Sequence, residues 1–200
     1  FNLASHSSKL IAVNMPLLIF SIFLLFSFNF GISQNLKVVI DTSITTKHKT
    51  VIKGIELEYT AETGMQPVWN KEGTAIASLF YTYYRRDHVK NSNKRPILIS
   101  FNGGPGSASV WMHMAYTGPR ILKVDDEGYP VQPYGFRSNP NSILDVADIV
   151  FVNPVNTAYS RMIPNKDGEL PDRIQFFGIN EDIAYLSDLI FTFISRKIRW

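Results

Sequence analysis

The residues best suited to chemistry are Asn102-Gly103-Gly104-Pro105-Gly106. Gly103, Gly104 and Gly106 can take positive φ and bring bare backbone N–H groups against a ligand, while Pro105 fixes the path between them. A helix that follows directly adds partial positive charge from its N-terminus. A turn so built stabilises an anion. One candidate is a phosphate; the other is the oxyanion of a tetrahedral acyl-transfer intermediate, where each donor contributes roughly 2.7–4 kcal/mol. Phosphate fits poorly, because the turn has neither the lysine of a Walker A loop nor the G-x-G-x-x-G spacing of a dinucleotide site. On composition alone, a tight strand-to-helix turn without a ligand remains the alternative.

The flanking segments fit that placement. Residues 97–101 (ILISF) form a short apolar run after Pro96, which predicts a central strand covered on both faces. Residues 107–116 predict a helix capped by Ser107 and stopped by Gly118-Pro119. Upstream, the alternation over 38–60 with Gly54 predicts hairpin strands, and the aromatic run 76–84 predicts a further strand. Downstream, a Pro-, Gly- and Asn-rich excursion over 125–142 leads to a buried strand at 149–152. The spacing of Ile183, Leu186, Leu189, Ile190, Phe193 and Ile194 then predicts a helix over 180–196, with Asn180 as its cap and acids in its first turn. The order is β-rich opening, strand, turn, helix, strand, helix, which reads as an α/β fold entered from antiparallel edge strands.

The stretch SFNGGPGSASVWMHMAYTGPR at 100–120 resembles the N-G-G-P-G-[CS]-[SA]-S signature and trailing G-P of the serine carboxypeptidase family, especially its bacterial, signal-bearing members. Residues 142–162, SILDVADIVFVNPVNTAYSRM, are similar to the family segment NPYSLLDVADVVFIDPVGTGYSR, and Phe176-Phe177-Gly178 with Glu181-Asp182 extend the likeness. Similarity runs from about Thr46 to Trp200. It implies an α/β-hydrolase fold with a mixed, mostly parallel sheet, and a Ser-Asp-His triad that cleaves single residues from peptide C-termini. It implies that the Gly104 N–H is an oxyanion-hole donor, and that Asn102 and the Gly103 N–H hold the α-carboxylate of a peptide substrate. Three departures stand out. Tyr116 occupies the place of a glutamate that shares a proton with that carboxylate. Asn153 replaces the usual Asp, and Asn156 and Ala158 replace two glycines. Asn tolerates the left-handed conformation, whereas Ala does so at a cost.

In this fold the nucleophile lies on a G-x-S-x-G elbow and the acid and His follow it. No G-x-S-x-G occurs in these 200 residues. The expectation is an incomplete hydrolase domain over 34–200, cut at Trp200, inert by itself, and poorly folded because its sheet would expose a long apolar edge. The alternatives are an acyltransferase on the same scaffold, or a non-catalytic secreted homologue that keeps the loop to bind peptides. Ser107 and Ser109 read as cap and helix residues rather than nucleophiles. His113 reads as a packing or surface histidine, Asp145 and Asp148 as capping or pairing residues, and Arg85-Arg86 and Arg196 to Arg199 as solvated charge.

Residues 16–30 (PLLIFSIFLLFSFNF) carry no charge and precede the small-x-small pattern Gly31-Ile32-Ser33, so residues 1–33 read as a secretory signal with cleavage before Gln34, implying an exported protein. A membrane anchor over 11–32 is the rival. Initiation at Met15 rather than upstream is also open. The rest of the composition excludes whole classes. Hydrophobic residues at 45% against 18% charged exclude a disordered chain. The absence of Cys excludes disulfides and a thiol nucleophile, and with four His supports no metal site. A net charge of +3 is too mild for a nucleic-acid binder unless the charge clusters on one face. No cofactor is expected, and the expected partners are peptide substrates.

Overall fold

The computed structural model describes residues 38–102 and 106–200. The signal-or-anchor segment, Gly103, Gly104 and Pro105 lie outside the described residues. Among those described, a mixed sheet runs in the order β1-β2-β3-β7-β4, with β8 pairing on β3. The strands are β1 (Thr42–Ile52), β2 (Ile55–Trp69), β3 (Ala75–Arg86), β4 (Ile97–Ser100), β7 (Asp148–Val152) and β8 (Arg161–Met162). β5 (Arg120–Leu122) and β6 (Phe136–Ser138) make a separate small antiparallel pair. One helix, α1 (Ile179–Lys197), covers one face.

The predicted hairpin forms, turning at Lys53 (φ 49°) and Gly54 (φ 79°). Positive φ at both central residues matches the twist of the flanking strands. Gly64, inside β2, is required by close approach: a Cβ there would lie 2.5 Å from the Thr42 carbonyl oxygen of β1. β3 pairs antiparallel with β2 and β7, and β4 runs parallel to β7.

Both faces of the sheet are covered by apolar side chains. Under α1 lie Leu79, Tyr81, Tyr83, Val150 and Val152, packed against Tyr185, Leu189 and Phe193. On the other face Ile52, Leu57, Tyr59, Leu144, Ile149 and Phe151 form a second core, with Met112 against it. The α1 stripe is narrower than the spacing predicts, since Ile183 is 61% exposed. Gly178, not Asn180, occupies the cap position, and no side chain caps the helix. Glu181 and Asp182 in the first turn and Arg196 and Lys197 in the last complement the helix dipole.

Three further expectations are corrected. β4 is not covered on both sides. Among the described residues it pairs only with β7, Leu98 is 37% exposed, and the free edge is four residues long rather than extensive. The helix after the Gly-rich turn does not start at a Ser107 cap. Its described core is a π-helix over Met112–Thr117, and no side chain caps it. The basic run at the end of α1 is not uniformly solvated. Arg196 pairs with Asp41 at the surface, but the Arg199 side chain is only 4% exposed and donates to Asp148 at 2.6 Å. Ile198 in the left-handed conformation turns the chain back to bring it there. Arg95 donates to the other Asp148 oxygen at 2.9 Å, so one fully buried carboxylate serves two guanidiniums. Arg86 is likewise drawn inward, its guanidinium donating to the Asp145 carbonyl and its N–H to Asp148.

Candidate active-site loop and its cleft

Asn102 leaves β4 at its C-terminal end, where open α/β sheets present their sites. Its N–H donates to Ser109 Oγ at 3.2 Å and its side-chain amide donates to Ser107 Oγ at 3.1 Å. Ser107 is thus a partner of Asn102 rather than a helix cap. Gly106 takes φ 83°, so at this position the turn does use the freedom of glycine. Gly103 and Gly104 are named by the sequence pattern and lie outside the described residues. Asn102 and Gly106 face a cleft of 570 Å³. Its far wall is the first half of α1 with Phe177, Ile179 and Ile183, and Asp182 and Ser187 supply its polar groups. A largely apolar cleft with a few convergent polar groups is the usual form of a small-ligand or peptide-end site.

Beneath the turn lies a buried polar bracket that sequence reasoning missed. Ser109, 1% exposed, accepts from Asn102 on its hydroxyl, donates that hydroxyl to the Val152 carbonyl, and donates its N–H to Asn153 Oδ1 at 2.9 Å. Asn153 Nδ2 donates to the Phe80 carbonyl at 3.2 Å. Ser160 closes the arrangement: its hydroxyl donates to the Asn153 carbonyl at 2.7 Å and accepts from Phe80 N–H at 2.8 Å. The available signal was an Asn before Pro at the end of a buried strand.

The turn that follows β7 takes up the left-handed conformation without glycine. Asn156 (φ 62°) and Ala158 (φ 46°) are both left-handed. Thr157 N–H donates to the Pro154 carbonyl at 3.0 Å and Ser160 N–H to Thr157 at 2.9 Å, which gives two successive turns.

His113 packs, as its position suggests. Its ring stacks on Phe151 at 4.4 Å between centroids and its Nε2 lies 2.6 Å from the Tyr84 hydroxyl. Burial pushes its pKa down to about 4, so the ring is neutral and shares one hydrogen bond with the Tyr84 hydroxyl. Tyr116, which the sequence sets apart from the family pattern, is 64% exposed. Asp145 and Asp148 do pair, the former with Lys53 at 2.6 Å.

Residues 56–173 match the family model described as serine carboxypeptidase. Over 85 residues, 42% of this chain and 16% of the relative, the sequence is 35% identical to serine carboxypeptidase-like 36 of Arabidopsis thaliana. The crystal structure of Kex1(delta)p, a prohormone-processing carboxypeptidase from Saccharomyces cerevisiae, superposes with a TM-score of 0.51 at 20% identity, covering 68% of this chain and 28% of that one. The chain therefore spans less than a third of either relative. That superposition supports the fold alone, an α/β-hydrolase sheet with few helices in this portion. With more than half of its residues matched by the family model, the chain belongs to the serine carboxypeptidase family.

Proposed function

We propose that the protein containing these residues is an exported serine-type carboxypeptidase that releases C-terminal amino acids from peptides. The observation that carries the reading is the family match across a segment whose Asn102 and Gly106, just after β4, line the cleft against α1. In this reading a serine hydroxyl, deprotonated by a histidine, attacks the last peptide carbonyl; both residues come from beyond these 200. The Gly104 N–H receives the oxyanion, and Asn102 with the Gly103 N–H holds the terminal carboxylate. Collapse expels the C-terminal amino acid, and water then hydrolyses the acyl-enzyme. Neutral donors suit this task because they recognise a chain end without a competing charge.

Residues 1–33 are proposed as the export signal and 34–200 as part of the hydrolase domain, in a chain of bacterial type. N-terminal sequencing of exported protein should begin at Gln34, and retention of residues 11–32 in a membrane fraction would favour the anchor.

The test of the main reading is Asn102→Ala in the complete protein. A hydrogen bond to a charged group contributes about 1.5–3 kcal/mol, so KM for an N-blocked dipeptide with a free carboxylate should rise roughly 10–100-fold. Hydrolysis of the same dipeptide as its C-terminal amide should hardly change. Equal losses on both substrates refute the carboxylate role. The departures from the family pattern at Tyr116, Asn153 and Ala158 support a second reading, a peptide-binding homologue without turnover. Binding of the dipeptide with no hydrolysis by the wild-type protein would select it. An acyltransferase would instead transfer the acyl group to an added amine or alcohol.

A further inference from the structure

We infer that Asn153 is a positioning residue for Asn102, acting through Ser109, and that its neutral amide makes that placement independent of pH. The inference rests on the carboxypeptidase reading for its activity arm only. Asn153 is 6% exposed and sits where β7 ends. Its amide uses both of its functions at once: Oδ1 accepts from Ser109 N–H at 2.9 Å, and Nδ2 donates to the Phe80 carbonyl at 3.2 Å. Ser109 passes the constraint to Asn102, whose N–H donates to its hydroxyl. One planar group thus ties β3, β7 and the described residues on both sides of the turn.

No other side chain of this size does the same at every pH. A carboxylate could accept from Ser109 but has nothing to donate to Phe80, so two oxygens would face each other in a buried place until one took up a proton. The titratable groups that surround the position are few. Tyr185 of α1 accepts from Val155 N–H, Asp182 of α1 lines the cleft with Asn102 and Pro154, and His113 of the π-helix stacks on Phe151 two residues before. None of them bonds to the Asn153 amide.

The experiment compares wild type, Asn153→Ala and Asn153→Asp in the complete protein. A small displacement of catalytic groups is worth up to about 100-fold in rate. Asn153→Ala should therefore lower kcat/KM for an N-blocked dipeptide roughly 10–100-fold at every pH. Asn153→Asp should match wild type in acid and fall to the Ala level on the alkaline side of a new ionisation absent from the wild-type profile. Amide hydrogen exchange is read in parallel. Asn102 and Ser109 amides should exchange at least about tenfold faster in Asn153→Ala, with β1–β2 amides unchanged. Identical pH profiles for wild type and Asn153→Asp, or exchange that rises uniformly or not at all, overturn the inference. Should wild type prove inactive on dipeptides, the carboxypeptidase reading fails while the exchange arm still decides the role of Asn153.

Discussion

Ala158 offers a test in which the sign of the effect carries the information. Its φ of 46° places an L-residue with a Cβ in the left-handed region, which costs roughly 1–2 kcal/mol relative to glycine. Its side chain is exposed, so removing the Cβ forfeits no packing. Replacement by Gly also loosens the unfolded chain, which offsets about 0.4–1 kcal/mol of the gain. In the complete protein Ala158→Gly should therefore stabilise by about 0.5–1 kcal/mol. Urea unfolding followed by circular dichroism measures the difference, and Asn156→Gly serves as a control. Asn tolerates the left-handed region, so that control should stay within about 0.5 kcal/mol of wild type. Were Ala158 in ordinary extended backbone, glycine would destabilise by about 0.5–1 kcal/mol instead. A loss of stability in Ala158→Gly thus refutes the left-handed turn after β7.

Two other perturbations bear on the buried polar groups. Asp148→Asn leaves the guanidiniums of Arg95 and Arg199 buried without a counter-charge, and breaking such a pair costs about 3–5 kcal/mol; an unchanged urea midpoint would contradict the burial of Arg199. His113 is neutral when folded because burial lowers its pKa from 6.5 to about 4. The unfolded chain binds the proton first as pH falls, so the contribution is intact above pH 6.5 and is lost between 6.5 and 4, on the order of 3 kcal/mol. His113→Gln, whose amide can donate to or accept from Tyr84, should flatten that part of the pH dependence of unfolding; equal slopes in the two proteins would argue against a neutral ring.

Much of this architecture is written locally. β3, β7 and α1 follow from apolar runs and spacing, and the turn at Asn102 follows from the punctuation of Gly and Pro after an apolar run. What escapes local reading is of three kinds. The β5–β6 pair has only three residues on each side, too few to show alternation among Pro and Gly. The π-helix widening at Met112 has no side-chain signal, because Ser, Val and Trp before it suit an ordinary helix start equally well. The buried bracket and the carboxylate with two arginines depend on partners far apart in sequence. Asn153 meets Ser109 44 residues away and Phe80 73 residues away, and Arg199 meets Asp148 across 51. A basic run reads as solvated until a left-handed residue such as Ile198 turns one member inward.

That clasp of Arg95, Asp148 and Arg199 also bears on the order of events in folding. The β1–β2–β3 meander joins neighbouring segments through short turns, whereas the clasp must first close spans of 53 and 51 residues. Loop-closure entropy places such contacts after the meander and after α1 has docked. The clasp therefore acts as a latch on the finished sheet, and its loss in Asp148→Asn should quicken unfolding far more than it slows folding.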